Sequence, residues 1–103
     1  MHHANDLSKP FFLVTPNKSG ALAFELQSPK NSNLSEAVID IFVEDQNGKE
    51  QIAFASTNTD GVWKEFAIHI SSNGNKVKPL KFGFTPRANS PKIYLRNPRF
   101  LKN

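Results

Sequence analysis

The chain has no cysteine among its 103 residues. That removes any disulfide framework or thiolate zinc site and leaves stability to packing alone. Long apolar runs are missing too: nothing approaches the roughly 20 residues that a membrane-spanning helix needs, and the N-terminus has no basic-then-apolar leader pattern. Acid is absent beyond Glu65. The first 65 residues carry nine acids against five lysines, whereas Lys76, Lys78, Lys81, Arg87, Lys92, Arg96, Arg99 and Lys102 follow with none. In a sandwich, distant sequence segments interleave in space, so this asymmetry need not make a basic face. Solvated lysines on outward strand positions and turns account for it more readily than a site for an anionic partner does.

Catalytic signatures are scarce as well. No serine sits in a Gly-x-Ser-x-Gly context, and the one internal histidine, His69, has no histidine or acid at metal spacing. Glu44 and Asp45 stand at a strand end, where two acids are usually solvated. The stretch Asp45 to Glu50 lacks the length and the distal Glu of a calcium loop. The expectation is a non-enzyme with no cofactor and no metal.

What is present is alternation. Nine phenylalanines, one tryptophan and one tyrosine supply the large side chains, each worth roughly 1.5 to 3 kcal/mol when fully covered. Apolar residues recur at every second position, which gives a strand one buried and one wet face. Seven strands follow from this pattern: Pro10 to Val14, Ala21 to Gln27, Ala37 to Glu44, Gln51 to Ser56, Gly61 to Ile70, Leu80 to Phe84, and Lys92 to Phe100. Helix-start chemistry near Ser35-Glu36 is outweighed by β-branched Val38, Ile39 and Ile41. Asn47-Gly48 marks a tight hairpin. The polar stretch from Ser28 to Asn33 reads as an exposed loop. Residues 1–8 read as a disordered or tag-derived N-terminus and residues 9–103 as one domain. The fold class expected is all-β, a single antiparallel β-sandwich of jelly-roll type.

The order of these pieces resembles the galactose-binding-like jelly roll, a fold shared by many carbohydrate-binding modules attached to glycoside hydrolases and lyases. The matching residues are Ile39 to Val43, Asp45 to Gly48, Trp63 with Phe66, Ile68 and Ile70, then Lys81-Phe82-Gly83-Phe84, and Ile93 to Phe100. They cover about two thirds of the chain. The resemblance implies a non-catalytic module for a glycan or polysaccharide, at the cell surface or outside it, and accessory to a larger protein whose other domains are partners. Such modules often read Ile-Tyr-Leu-Asp-Asn in the last strand; here Arg96 replaces the acid, so no calcium is expected there.

Parity then selects candidate ligand contacts. Ile52 and Phe54 are expected inward. Phe42 lies on the side opposite Ile41 and Val43; His69 sits between inward Ile68 and Ile70; Tyr94 and Arg96 flank inward Leu95; Lys81 flanks inward Phe82. If their strands are neighbours in one sheet, these residues form an aromatic-plus-cation groove suited to an anionic sugar. Trp63 is open to two roles. Strict alternation puts Val62 and Lys64 inside and Trp63 out, as a sugar platform; the resembled family tucks this tryptophan into the sandwich as an anchor. A protein-interaction or oligomerisation sandwich covering Phe42 is the alternative function. Nucleic acid is disfavoured despite a pI near 9.6, because no RNP-like or Gly-rich signature is present.

Overall fold

A computed structural model describes residues 5–6, 10–15, 19–29, 37–45, 48–71, 80–88, 90 and 92–102. The strands are β1 (Asn5–Asp6), β2 (Phe11–Thr15), β3 (Gly20–Gln27), β4 (Ala37–Asp45), β5 (Gly48–Thr57), β6 (Lys64–Ile70), β7 (Leu80–Pro86) and β8 (Tyr94–Lys102). The seven strands expected from alternation are all present. The additional two-residue β1 lies inside the 1–8 stretch and pairs with Tyr94 and Leu95. No described residue is helical, so no described helix is long and apolar enough to cross a membrane.

Two four-stranded antiparallel sheets form, in the orders β1-β8-β3-β6 and β2-β7-β4-β5. The first strand pairs with the eighth, the second with the seventh, the third with the sixth and the fourth with the fifth. This is one long antiparallel hairpin rolled up so that successive pairs fall in opposite sheets, which is the jelly-roll arrangement.

The core between the sheets follows the alternation. Leu22, Phe24 and Leu26 of β3, Ile39 and Ile41 of β4, Phe82 and Phe84 of β7, and Leu95 of β8 are fully buried. Phe24 from one sheet meets Phe84 from the other edge-on at 5.3 Å between ring centres, and Phe24 stacks on Phe66 at 5.9 Å. This aromatic contact ties the two layers together beyond simple area burial.

Two irregularities decide which side chains face out. On β8, the register against β3 slips between Ala23 and Glu25, and Asn97 adopts φ 55°. The extra residue on β8 makes a bulge that reverses parity beyond it. Arg99 therefore joins Arg96 on the outer side, where it forms an ion pair with Glu65, while Phe100 packs against the core. On β5, the slip between Ile41 and Phe42 of β4 inserts Ile52. Ala53 and Ala55 then pair with inward Ile41 and Ile39, and Phe54 falls opposite Asp40. The expectation that Ile52 and Phe54 point inward is corrected: they are 38% and 60% exposed. Size favoured burying them, but the hairpin register gave the inner positions to alanines.

The polar stretch after β3 needs a second correction, because Ser28 is fully buried and Pro29 half-buried; residues 30–33 of that expected loop lie outside the described ones. The Ser28 hydroxyl accepts from the Thr59 amide at 2.7 Å and from the Asp60 amide at 3.2 Å, while the Ser28 amide donates to Thr59 Oγ1 at 2.8 Å. The Gly61 amide donates to the Ser28 carbonyl at 2.9 Å. These bonds satisfy groups that would otherwise be costly to bury. They also anchor a turn at Asp60 and Gly61, both with positive φ, closed by Val62 N–H to the Thr59 carbonyl. Asp-Gly suits such a turn, and Trp63 follows directly from it.

Candidate functional site

The six candidate residues do not share a sheet. Trp63, His69, Tyr94 and Arg96 lie at the outer face of β1-β8-β3-β6, whereas Phe42 and Lys81 lie on the outer face of β2-β7-β4-β5. The single groove they were expected to form is therefore divided between opposite sides of the sandwich.

On the first face the polar groups engage one another. Arg96 sits opposite Glu25 in the register and donates to Glu25 Oε1 from Nε at 3.2 Å and from Nη2 at 3.0 Å. Asn97, turned outward by the bulge, donates to Glu25 Oε2 at 3.3 Å. Arg99 donates to the Asn97 carbonyl at 3.0 Å and to Glu65. The Arg96 guanidinium also lies 4.1 Å from the Trp63 ring centre. Trp63 is half-buried under that cation, and Val62 and Lys64, expected inside, are exposed because the regular strand begins only at Lys64. The Arg96 hydrogen bond, helped by Asn97 and by the nearby charges of Arg96 and Arg99, holds the Glu25 carboxyl below its usual range, against an opposing effect of desolvation. Tyr94 is half-buried with the Lys92 ammonium 5.3 Å from its ring centre, and His69 is exposed at the far end of β6.

The second face is built differently. Register places Phe12, Gly83 and Phe42 side by side across β2, β7 and β4. Gly83 has no side chain, and a Cβ there would lie 3.1 Å from the Phe12 ring, so the ring leans over the glycine toward Phe42. Phe54 on β5 stands opposite Asp40 of β4, one row along. Phe12 and Phe54 are 46% and 60% exposed, and Phe42 is half-buried. Each ring carries a cation: Lys81 at 4.4 Å from Phe12, Lys49 at 5.0 Å from Phe42, and Arg87 at 5.2 Å from Phe54. Two carboxylates steer them. Asp40 accepts from Arg87 Nη2 at 2.6 Å and Nε at 3.2 Å and from Gln51 Nε2 at 2.9 Å, and Glu44 lies 3.7 Å from Lys81. The Asp40 contact raises the already high pKa of Arg87, which stays charged. A shallow depression lined by Gln51, Ile52, Ala53 and Phe54 opens at the β5 end.

Five contributors to this surface were missed in the sequence: Phe12, Phe54, Lys49, Arg87 and Asp40. A signal for one of them was present, because the Phe11-Phe12 pair must send one ring outward in any strand. Phe54 was hidden: unbroken counting from the Asp45–Gly48 pair sets it opposite inward Ile39, and only the bulge at Ile52 moves it opposite Asp40. Chemically, the face offers apolar ring surface for C–H groups, cations for anions and carboxylates for hydroxyls. No protein-family model matches the chain, and no curated protein matches it.

Proposed function

We propose that the domain is a non-catalytic carbohydrate-binding module whose glycan lies across the outer face of β2-β7-β4-β5. One observation carries this reading: three outward phenylalanines, Phe12, Phe42 and Phe54, on one open sheet face, each with a lysine or arginine at its ring. A pyranose ring presents C–H groups that stack on aromatic surface. A uronate or sulfate group on the same sugar draws Lys81, Lys49 or Arg87 into a charge-assisted hydrogen bond. The preferred ligand class is an anionic polysaccharide, because three cations flank the rings. The opposite face is the weaker choice, since its rings, Trp63 and Tyr94, are half-buried whereas Phe12 and Phe54 are exposed.

A glycan array probed with the purified domain at low and at physiological salt tests the proposal. Discrete hits that persist at physiological salt are expected. A blank array, or uniform binding to every polyanion that salt abolishes, overturns it. The second reading is a protein-interaction surface, favoured by the 63% exposure of Val14 beside the rings. It predicts a blank array together with retention of a protein partner that the Val14→Lys variant loses.

A further inference from the structure

Register arranges the outer face of β2-β7-β4-β5 in rows. Lys81, Glu44 and Lys49 stand side by side across β7, β4 and β5; Phe12, Gly83 and Phe42 make the next row across β2, β7 and β4; Thr85, Asp40 and Phe54 follow across β7, β4 and β5. The three cations at the rings are not equivalent. Arg87 donates to both Asp40 oxygens, at 2.6 and 3.2 Å, and Lys81 lies 3.7 Å from Glu44. Glu44 stands between Lys81 and Lys49 in its row and engages Lys81. Lys49 is exposed, its ammonium 5.0 Å from the centre of the Phe42 ring, and among the described residues no carboxylate is within ion-pair distance of it. Glu50, next along β5, sits opposite Val43, which packs against the core, and so belongs to the other side of the strand.

We propose that Lys49 is the specificity residue of this face: it takes the anionic group of the bound glycan, a uronate or a sulfate, beside Phe42, while Phe12 and Phe54 take uncharged parts of the same chain. The proposal rests on the glycan reading and narrows it. Two effects select Lys49. The first is net charge. Three cations less two carboxylates leave one positive charge, and it falls at Lys49; an anion approaching Lys81 or Arg87 also meets the carboxylate beside it. The second is the cost of recruitment. Drawing Arg87 to a ligand leaves Asp40 with Gln51 alone, whereas Lys49 has three N–H donors and only a ring contact to adjust. The pairs at Phe12 and Phe54 present donors and acceptors together, which suits hydroxyl groups. Phe12 and Phe42 are two strand spacings apart, about 9–10 Å, and Phe54 is a further strand away, so the ligand is a chain of several units. A chain whose charged units are separated by neutral ones fits this pattern better than one charged at every unit.

A glycan array holding uronate, sulfated and neutral chains, probed at low and at physiological salt, tests it with the wild type and three variants confirmed folded by circular dichroism. Lys49→Met removes the unpaired charge and keeps the apolar stem. The ratio of anionic to neutral signal is expected to fall roughly 10- to 100-fold, as for loss of a hydrogen bond to a charged group, and the remaining signal to lose its salt dependence. Lys81→Met/Glu44→Gln and Arg87→Met/Asp40→Asn each delete a neutral pair, and both are expected to keep the wild-type ratio even where the total signal drops. Loss in Lys49→Met of uronate hits or of sulfate hits supports the proposal and identifies the anionic group. Discrete anionic hits that Lys49→Met keeps, a ratio that only a pair variant loses, or hits on neutral chains alone overturn it and leave the glycan reading standing. A blank array overturns both.

Discussion

The two outer faces are made from similar side chains and differ in what those side chains touch. At β1-β8-β3-β6, Trp63, Arg96, Glu25, Asn97, Arg99 and Glu65 form a closed chain of contacts. At β2-β7-β4-β5, Lys81 and Arg87 also have carboxylate partners, but Phe12 and Phe54 remain substantially exposed beside them. A large aromatic beside a cation is therefore no indicator of a ligand site by itself. The useful distinction is whether ring surface is left over once the polar partners are satisfied. Trp63 and Arg96 cover each other on the first face, and the second face leaves the rings of Phe12 and Phe54 exposed.

The comparison also explains the charge asymmetry. Cations from the acid-free C-terminal stretch pair with acids from the earlier one: Lys81 with Glu44, Arg87 with Asp40, Arg96 with Glu25 and Arg99 with Glu65. Jelly-roll topology sets β7 beside β4 and β8 beside β3, so segments of opposite charge become cross-strand neighbours. The sequence asymmetry produces ion pairs on both faces.

The largest effect is expected where the faces share support. Phe24→Ala removes the ring that stacks on Phe66 and meets Phe84, and it should destabilise the fold by about 3–5 kcal/mol. Chemical denaturation measures this, and both faces should be lost in one transition.

An intermediate effect should separate the faces. Arg96→Ala leaves Glu25 with Asn97 alone and uncovers Trp63; with Arg96 and Glu25 side chains 31% and 20% exposed, screening limits the loss to about 1–2 kcal/mol. Glycan retention should be unchanged. The same pair has a pH signature. Because the folded pKa of Glu25 lies below its ordinary 4.5, its contribution is present above that value and disappears as pH falls through the folded pKa. Glu25→Gln should therefore lower stability at neutral pH and converge on the wild type in acid, as thermal melts across a pH series would show.

The smallest effect on stability belongs to Gly83→Ala. Its Cβ presses on the Phe12 ring at the surface, so the ring must tilt, at a cost below about 1 kcal/mol. Glycan binding should nevertheless weaken, because the added methyl stands between Phe12 and Phe42 and tilts the Phe12 ring. A melting temperature near that of the wild type with reduced array signal is the expected combination.

Much of the fold was legible because burial enforces period two. Leu22, Phe24 and Leu26, Ile39 and Ile41, and Phe82 are where alternation puts them, as is outward Phe42. Two kinds of information were not. Bulges leave little trace in composition: Asn97 and Ile52 each add one residue, which exposes Arg99 and Phe54 against the simple pattern. Sheet membership depends on long-range pairing, so adjacency of Phe42 to Phe12 and separation of Phe42 from Tyr94 could not be read from local sequence. The buried Ser28–Thr59 contact joins residues 31 apart and was hidden in two stretches that look like ordinary polar loop.

The most direct test of the proposed ligand face is a side-by-side array comparison of the wild type, the Phe12→Ala/Phe42→Ala double variant and Trp63→Ala, each confirmed folded by its melt. Loss of every discrete hit in the double variant, with hits retained in Trp63→Ala, is the predicted result. Retention in the double variant and loss in Trp63→Ala would place the ligand on the opposite sheet and contradict the account.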